Sequence, residues 1–233
     1  MFKAEPIRKK ANYYSIKEGS FRLKTHRDDP EAVTRDYVNP KTKVEGTAYE
    51  RAYKALYGTI TDIAFSDYTL DDGTVLRSIN ITLGENEEGI SQIISLPQDD
   101  RFTADFLKRL PLIDLTREVR LTPFDFEKDG PRRTGISVHH RNSDTDEYTE
   151  KVDNNFFTKV EEKDGKKVYT NLYGFPESTD EDASDWPFYF KKVSKFLIDY
   201  TKKNICPKFR EEKPMPKSYE EEHGEVNSND VPF

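Results

Sequence analysis

Residues 75–96 read VLRSINITLGENEEGISQIISL, and the periodicity of this stretch decides the fold. Ile79, Ile81 and Leu83 fall on alternate positions, with Ser78, Asn80 and Thr82 between them. Successive strand side chains point to opposite faces, so Val75–Leu83 is expected to be a strand with one buried face. Gly84–Gly89 is a polar turn. Ile90–Leu96 then gives a second strand, with Ile90, Ile94 and Leu96 on one face. Upstream, Tyr53–Thr69 is rich in Tyr, Thr, Ile and Phe and reads as a strand. Asp71-Asp72-Gly73-Thr74 turns it into the next one. Downstream the period changes. Within Arg101–Leu112, Phe102, Phe106, Leu107 and Leu110 recur at helical spacing. Glu118–Phe126 alternates again, Val119 and Leu121 against Arg120, Thr122 and Phe124. After the turn Lys128-Asp129-Gly130-Pro131, Thr134–His140 closes the set with Ile136 and Val138 inward.

The order over residues 51–142 is strand, strand, strand, helix, strand, strand. It resembles the OB-fold, a five-stranded Greek-key barrel with a helix between strands three and four. The expected fold class is mainly β: an OB-fold barrel with an additional β-hairpin, one C-terminal α-helix and a disordered acidic tail. The resemblance implies ligands on strands two and three and on the loops joining strands one–two and four–five.

Around this unit, residues 1–50 read as a basic arm and extension. Lys3, Arg8, Lys9 and Lys10 lead into Tyr13-Tyr14, and a hairpin is expected over Ser15–Thr25 around Glu18-Gly19. Residues 26–48 are charged and turn-rich and read as an extended loop. Thr47–Ala55 reads as a short helix or as the start of the first barrel strand. Residues 143–206 are expected to add a hairpin and a helix packed on the barrel. The strands are Phe156–Val160 and Lys166–Leu172, around Asp164-Gly165. The helix starts at the cap Asp185 with Pro187 in its first turn and stops near Ile205. Its apolar stripe is Phe190, Val193, Leu197 and Tyr200. Residues 207–233 carry mostly Glu, Lys, Pro, Ser and Asn and read as a disordered tail.

Composition bounds the function classes. Hydrophobic residues make up 34% of the 233 and charged ones 35%, so only part of the chain packs a core. A single cysteine, Cys206, excludes an intramolecular disulfide and a multi-cysteine zinc site. No apolar segment follows basic residues at the start, and no apolar run approaches the ~20 residues of a membrane helix. A protein of the cytoplasm is expected, the host cytoplasm if phage-encoded, with no membrane partner. The net charge of −7 is uneven. Residues 1–54 hold thirteen Lys or Arg against eight Asp or Glu, and residues 211–233 two against seven. A basic start and an acidic end point to different partners, and local patches set encounter with nucleic acid.

No catalytic constellation emerges. His139 and His140 are adjacent on a strand, so they face opposite ways and cannot share a metal. There is no Gly-rich phosphate loop and no Gly-x-Ser-x-Gly elbow. Asp153 with Glu161-Glu162-Lys163 is the nearest approach to a metal nuclease, but it surrounds a hairpin tip where charges are common. Neither a metal nor a cofactor is expected. The 13 Tyr and 15 Phe are more informative. Binding single strands without sequence preference takes a basic groove with aromatic platforms, because every base has a π face. The candidates lie where an OB-fold binds: Tyr57 and Tyr68 from strand one and its loop, Arg77 from strand two, and Arg120, Phe124 and Phe126 from strand four. Lys128, Arg132 and Arg133 ring the four–five loop, and His139 and Arg141 end strand five.

The sequence closes on Asn229-Asp230-Val231-Pro232-Phe233 after an acidic run. Asp230, Val231, Pro232 and Phe233 resemble the C-terminal tip of bacterial and phage single-stranded DNA-binding proteins, which carries acids, an aliphatic residue, Pro and Phe. Asn229 and Ser228 stand where that family has further acids, and the linker is Glu-based. The extra segments on both sides of the barrel fit a divergent phage-type member. The resemblance implies a non-enzymatic protein that binds single-stranded DNA in replication, recombination or repair and recruits partner proteins through the tip. Two other classes compete: an OB-fold protein-interaction module with a solubilising tail, and the metal nuclease. Oligomeric state is left open.

Overall fold

The computed structural model describes residues 10–38, 44–127, 130, 132–163, 166–178 and 185–211, and of residues 158–169 and 211 the backbone alone. Residues 1–9, Lys128, Asp164-Gly165 and the tip residues Asp230, Val231, Pro232 and Phe233 lie outside the described residues.

The elements follow in order as β1 (Ala11–Lys17), β2 (Ser20–Lys24), β3 (Val33–Val38), β4 (Glu45–Tyr53), β5 (Leu56–Gly58), β6 (Asp62–Thr69), β7 (Val75–Glu85) and β8 (Ser91–Pro97). Next come α1 (Arg101–Arg109), a 3-10 turn (Leu110–Leu112), β9 (Val119–Glu127), β10 (Arg132–His140), β11 (Glu150–Lys151), β12 (Phe157–Lys163), β13 (Lys166–Asn171), α2 (Trp186–Asn204) and α3 (Lys208–Glu211). Among the described residues the strands form three sheets: β3-β4-β2-β1-β8-β7-β6, β11-β10-β9-β5 and the hairpin β12-β13.

The protein is mainly β, and over residues 56–140 four strands precede α1 and two follow it, one strand more than expected before the helix. Ile79, Ile81 and Leu83 of β7, Ile94 and Leu96 of β8, and Ile136 and Val138 of β10 are all buried, as their alternation requires. Asp100 caps α1 by accepting from the Phe102 N–H, and Phe102, Phe106 and Leu107 turn inward. Asp185 caps α2 the same way from Phe188, and Val193, Leu197 and Thr201 are its buried residues. Phe190, expected on that apolar stripe, is instead 49% exposed and stacks on Trp186.

Four expectations are corrected. Tyr53–Thr69 is not one strand. It breaks after Gly58, so that β5 joins the four-stranded sheet and β6 the seven-stranded one. Gly58 adopts φ 150°, and a Cβ there would lie 2.6 Å from the Leu83 carbonyl oxygen. Only glycine permits this crossing of the two sheets. Residues 26–48 are not all loop, because β3 pairs antiparallel with β4 from Val33↔Glu50 to Val38↔Glu45. Thr47–Ala55 is not helical and does not begin the first barrel strand. Most of it is β4, which pairs with β2 and β3. The chain beyond Pro207 is also not all tail, because the partly buried Phe209 of α3 packs against the core.

The expected hairpin over Ser15–Thr25 forms as β1 and β2, and its partner is distant in sequence. β1 runs parallel to β8 from Ala11↔Ser91 to Tyr14↔Ile94. β10 pairs with β9 and β11. A ladder between β8 and β10, which would close a five-stranded barrel, is therefore missing among the described residues, and the sheets are open. One contiguous core joins both large sheets with α1 and α2.

Candidate nucleic-acid interface

The outer face of the four-stranded sheet carries residues in rows, because directly opposed residues of antiparallel strands share a face. Tyr57 of β5 opposes Arg120 of β9, Arg120 opposes His139 of β10, and His139 opposes Lys151 of β11. Two residues further along, Thr122 opposes Ser137; then Phe124 opposes Gly135, and Phe126 opposes Arg133. The inward partners on the same strands, Val119, Leu121, Ile136 and Val138, fill the core and fix this orientation.

A groove of about 650 Å³ lies over this face, walled on one side by Ala52–Ala55 at the end of β4. Tyr57, Arg120, Thr122, Ser137 and His139 form its floor and Lys54 stands on its wall. Tyr57 is 54% exposed, and its ring meets that of Tyr148 edge-on at 5.0 Å. The Tyr148 hydroxyl donates to Glu118, and the Arg120 guanidinium sits 6.0 Å over the Tyr148 ring. Such a contact holds the cation through the quadrupole of the ring.

Two polar atoms in the groove lack partners. Arg120 Nε and His139 Nδ1 are buried and make no hydrogen bond. Buried polar groups in native proteins are nearly always paired, which singles out these two nitrogens. Arg22 Nε is in the same condition, and Arg22 of β2 opposes Ala52 of the groove wall. Burial first, then the charges of Arg120 and Lys151, hold the His139 imidazole below its ordinary range. The groove thus presents a neutral imidazole between two cations at neutral pH.

Of the sequence-predicted residues, Tyr57, Arg120 and His139 meet in this groove, with Phe124, Phe126 and Arg133 further along the same face. The Phe124 and Phe126 rings lie 5.8 Å apart, and Phe126 is 46% exposed. Arg132 turns the other way and is held by both oxygens of Asp125. Arg141 is bound by Glu118 and Asp146. Tyr68, 60% exposed, stands on β6 of the other sheet, and Arg77 of β7 pairs with Asp67 there. Sequence reasoning missed Arg22, Lys54, Tyr148 and Lys151. The register of Lys151 with His139 was beyond reach, but a tyrosine among the charges of residues 142–150 was a visible signal for Tyr148.

His139 and His140 do face opposite ways. His140 is buried, and its Nε2 accepts the Asp114 N–H at 2.9 Å. Asp153, of the nuclease alternative, is exposed in the connection between β11 and β12. Among the described residues no three His, Cys, Asp or Glu side chains gather into a metal-holding group, and no helix is long and apolar enough to cross a membrane. No protein-family model, curated protein or solved structure matches this chain.

Proposed function

We propose that this protein binds single-stranded DNA without sequence specificity, along the groove of the four-stranded sheet, and so protects exposed strands during replication, recombination or repair. The carrying observation is the row Tyr57, Arg120, His139 and Lys151, in which an exposed ring and cations stand side by side with two unpartnered nitrogens. Aromatic platforms and cations in one groove are what a sequence-tolerant single-strand binder needs. The groove has the bases' π faces to stack on and the phosphates' charge to neutralise, and the reading assigns it no bond-making step.

In this reading β5 to β10 with α1 are an OB-type unit of a divergent, phage-type single-stranded DNA-binding protein. The place of the closing ladder is taken by the hairpin of β1 and β2. Asp230, Val231, Pro232 and Phe233 form the docking peptide for replication or recombination proteins, and the protein acts in the cytoplasm. The test is quenching of Trp186 and tyrosine fluorescence by oligo-dT, beside a gel-shift series with single- and double-stranded DNA and RNA. Saturable quenching and a shift favouring single strands are expected. Preference for duplex, or no shift at all, overturns the reading.

A further inference from the structure

We propose that the groove holds one unstacked nucleobase, with Tyr57 supplying the stacking face and Arg120 and His139 the hydrogen bonds to the base edge. This rests on the single-strand reading and assigns the chemistry inside its site. The alternative occupant of a basic groove is a phosphate of the backbone. A phosphate presents only acceptors, whereas a base edge sets donors and acceptors side by side.

The groove is built for the second kind of group. Arg120 Nε carries a hydrogen and is a donor only. His139, kept neutral by burial and by the neighbouring cations, has one ring nitrogen that donates and one that accepts. The two residues are directly opposed across β9 and β10, so their side chains lie next to each other on the groove floor, each with a nitrogen that has no protein partner. Thr122 and Ser137 add a pair of hydroxyls in the next row, and each hydroxyl turns to donate or accept. A floor with that freedom fits any of the bases, which agrees with binding that does not read sequence. Tyr57 offers its half-exposed ring, and Tyr148, held by Glu118, keeps it from folding away. Lys54 on the wall and Lys151 at the end of the row are placed for the flanking phosphates.

The experiment titrates the full chain with oligo-dT and with an oligomer of equal length whose sugars carry no bases, for the wild type and for Tyr57→Ala, Tyr57→Phe and His139→Ala. Melting curves accompany each variant, and only the folded fraction is counted. Wild-type protein is expected to bind the base-free strand roughly 5- to 150-fold more weakly, the size of one lost base stack. Tyr57→Ala and His139→Ala shrink that ratio by weakening the intact strand alone, and Tyr57→Phe restores it because the ring is kept. Variants that weaken both strands equally overturn the base cradle and leave a backbone groove, with the single-strand reading intact. Wild-type protein that binds neither strand overturns both.

Discussion

The Asp105 carboxylate on α1 accepts the backbone N–H of Ile136 on β10 at 2.9 Å. In a closed five-stranded barrel this edge would receive another strand. Here a side chain fills one ladder position, and β8 is left free to pair with β1. Asp105 is itself held by Arg109, whose guanidinium also donates to the Val152 carbonyl and so ties α1 to the start of the β12 connection. Asp105→Ala leaves the buried Ile136 N–H without an acceptor, at a cost of about 1–3 kcal/mol. Denaturant midpoints at constant slope measure it. An unchanged midpoint would show that water replaces the carboxylate freely.

Gly135, next to Ile136, makes the approach of α1 possible. A Cβ at this position would lie 2.5 Å from Asp105 Oδ2 and 2.7 Å from Phe124 Cζ. Asp105 is pinned by its two partners and cannot retreat without losing them. Gly135→Ala is therefore expected to lower stability by about 1–3 kcal/mol. In the double variant with Asp105→Ala the added loss should shrink, since the obstructing carboxylate is gone. Strictly additive losses would place the strain elsewhere.

This contact shows what was legible in the sequence and what was not. The alternation of Ile79, Ile81 and Leu83 and the helical spacing of Phe102, Phe106 and Leu107 are local patterns, and each gave its element. Closure depends on which edge meets which, and neither the parallel register of β1 with β8 nor an aspartate on a helix announces it. β3 escaped for another reason. Every residue but Arg35 is exposed, so an edge strand held by its ladder to β4 shows no hydrophobic period. Within the site, Tyr57, Arg120 and His139 were legible from the position of their strands. Arg132 and Arg141 looked the same in sequence, and only the structure shows their charges spent on Asp125, Glu118 and Asp146.

Ionic strength should govern affinity. Lys54, Arg120 and Lys151 line or end the groove, and each phosphate they neutralise releases counterions. The logarithm of the binding constant is expected to fall linearly with the logarithm of salt concentration, by roughly 0.7 per neutralised phosphate on a single strand. Titrations of oligo-dT over a series of salt concentrations give the slope. A flat line would remove the electrostatic component from the proposal.

Stability should depend on pH through the two histidines. Burial, then Arg117, lowers the His140 pKa, and burial with Arg120 lowers that of His139. The unfolded chain then binds protons more readily than the folded one, so stability is full above the ordinary imidazole range near 6.5. It is lost as pH falls from there through the folded values. Protonated His140 can also no longer accept the Asp114 N–H through Nε2. Midpoints measured from pH 7.5 down to 5.5 are expected to drop, and His140→Gln should flatten the decline. A midpoint that rises on acidification in this window contradicts the sign.

The strongest discrimination lies among the arginines. Arg120 keeps a buried Nε with no partner, while Arg132 is clamped by Asp125 and Arg141 by Glu118 and Asp146. A cation already paired on the surface gives little to a new anion, since recruiting it means breaking the pair. Arg120→Ala is therefore expected to weaken single-strand binding about 10- to 100-fold, the range for a hydrogen bond from a charged group. Arg132→Ala and Arg141→Ala should each change it by less than about threefold. All three remove one positive charge, so net charge cannot produce the difference. Equal losses from the three variants would mean that the strand senses the protein's overall field, and that the groove of Tyr57, Arg120 and His139 holds no privileged place in binding.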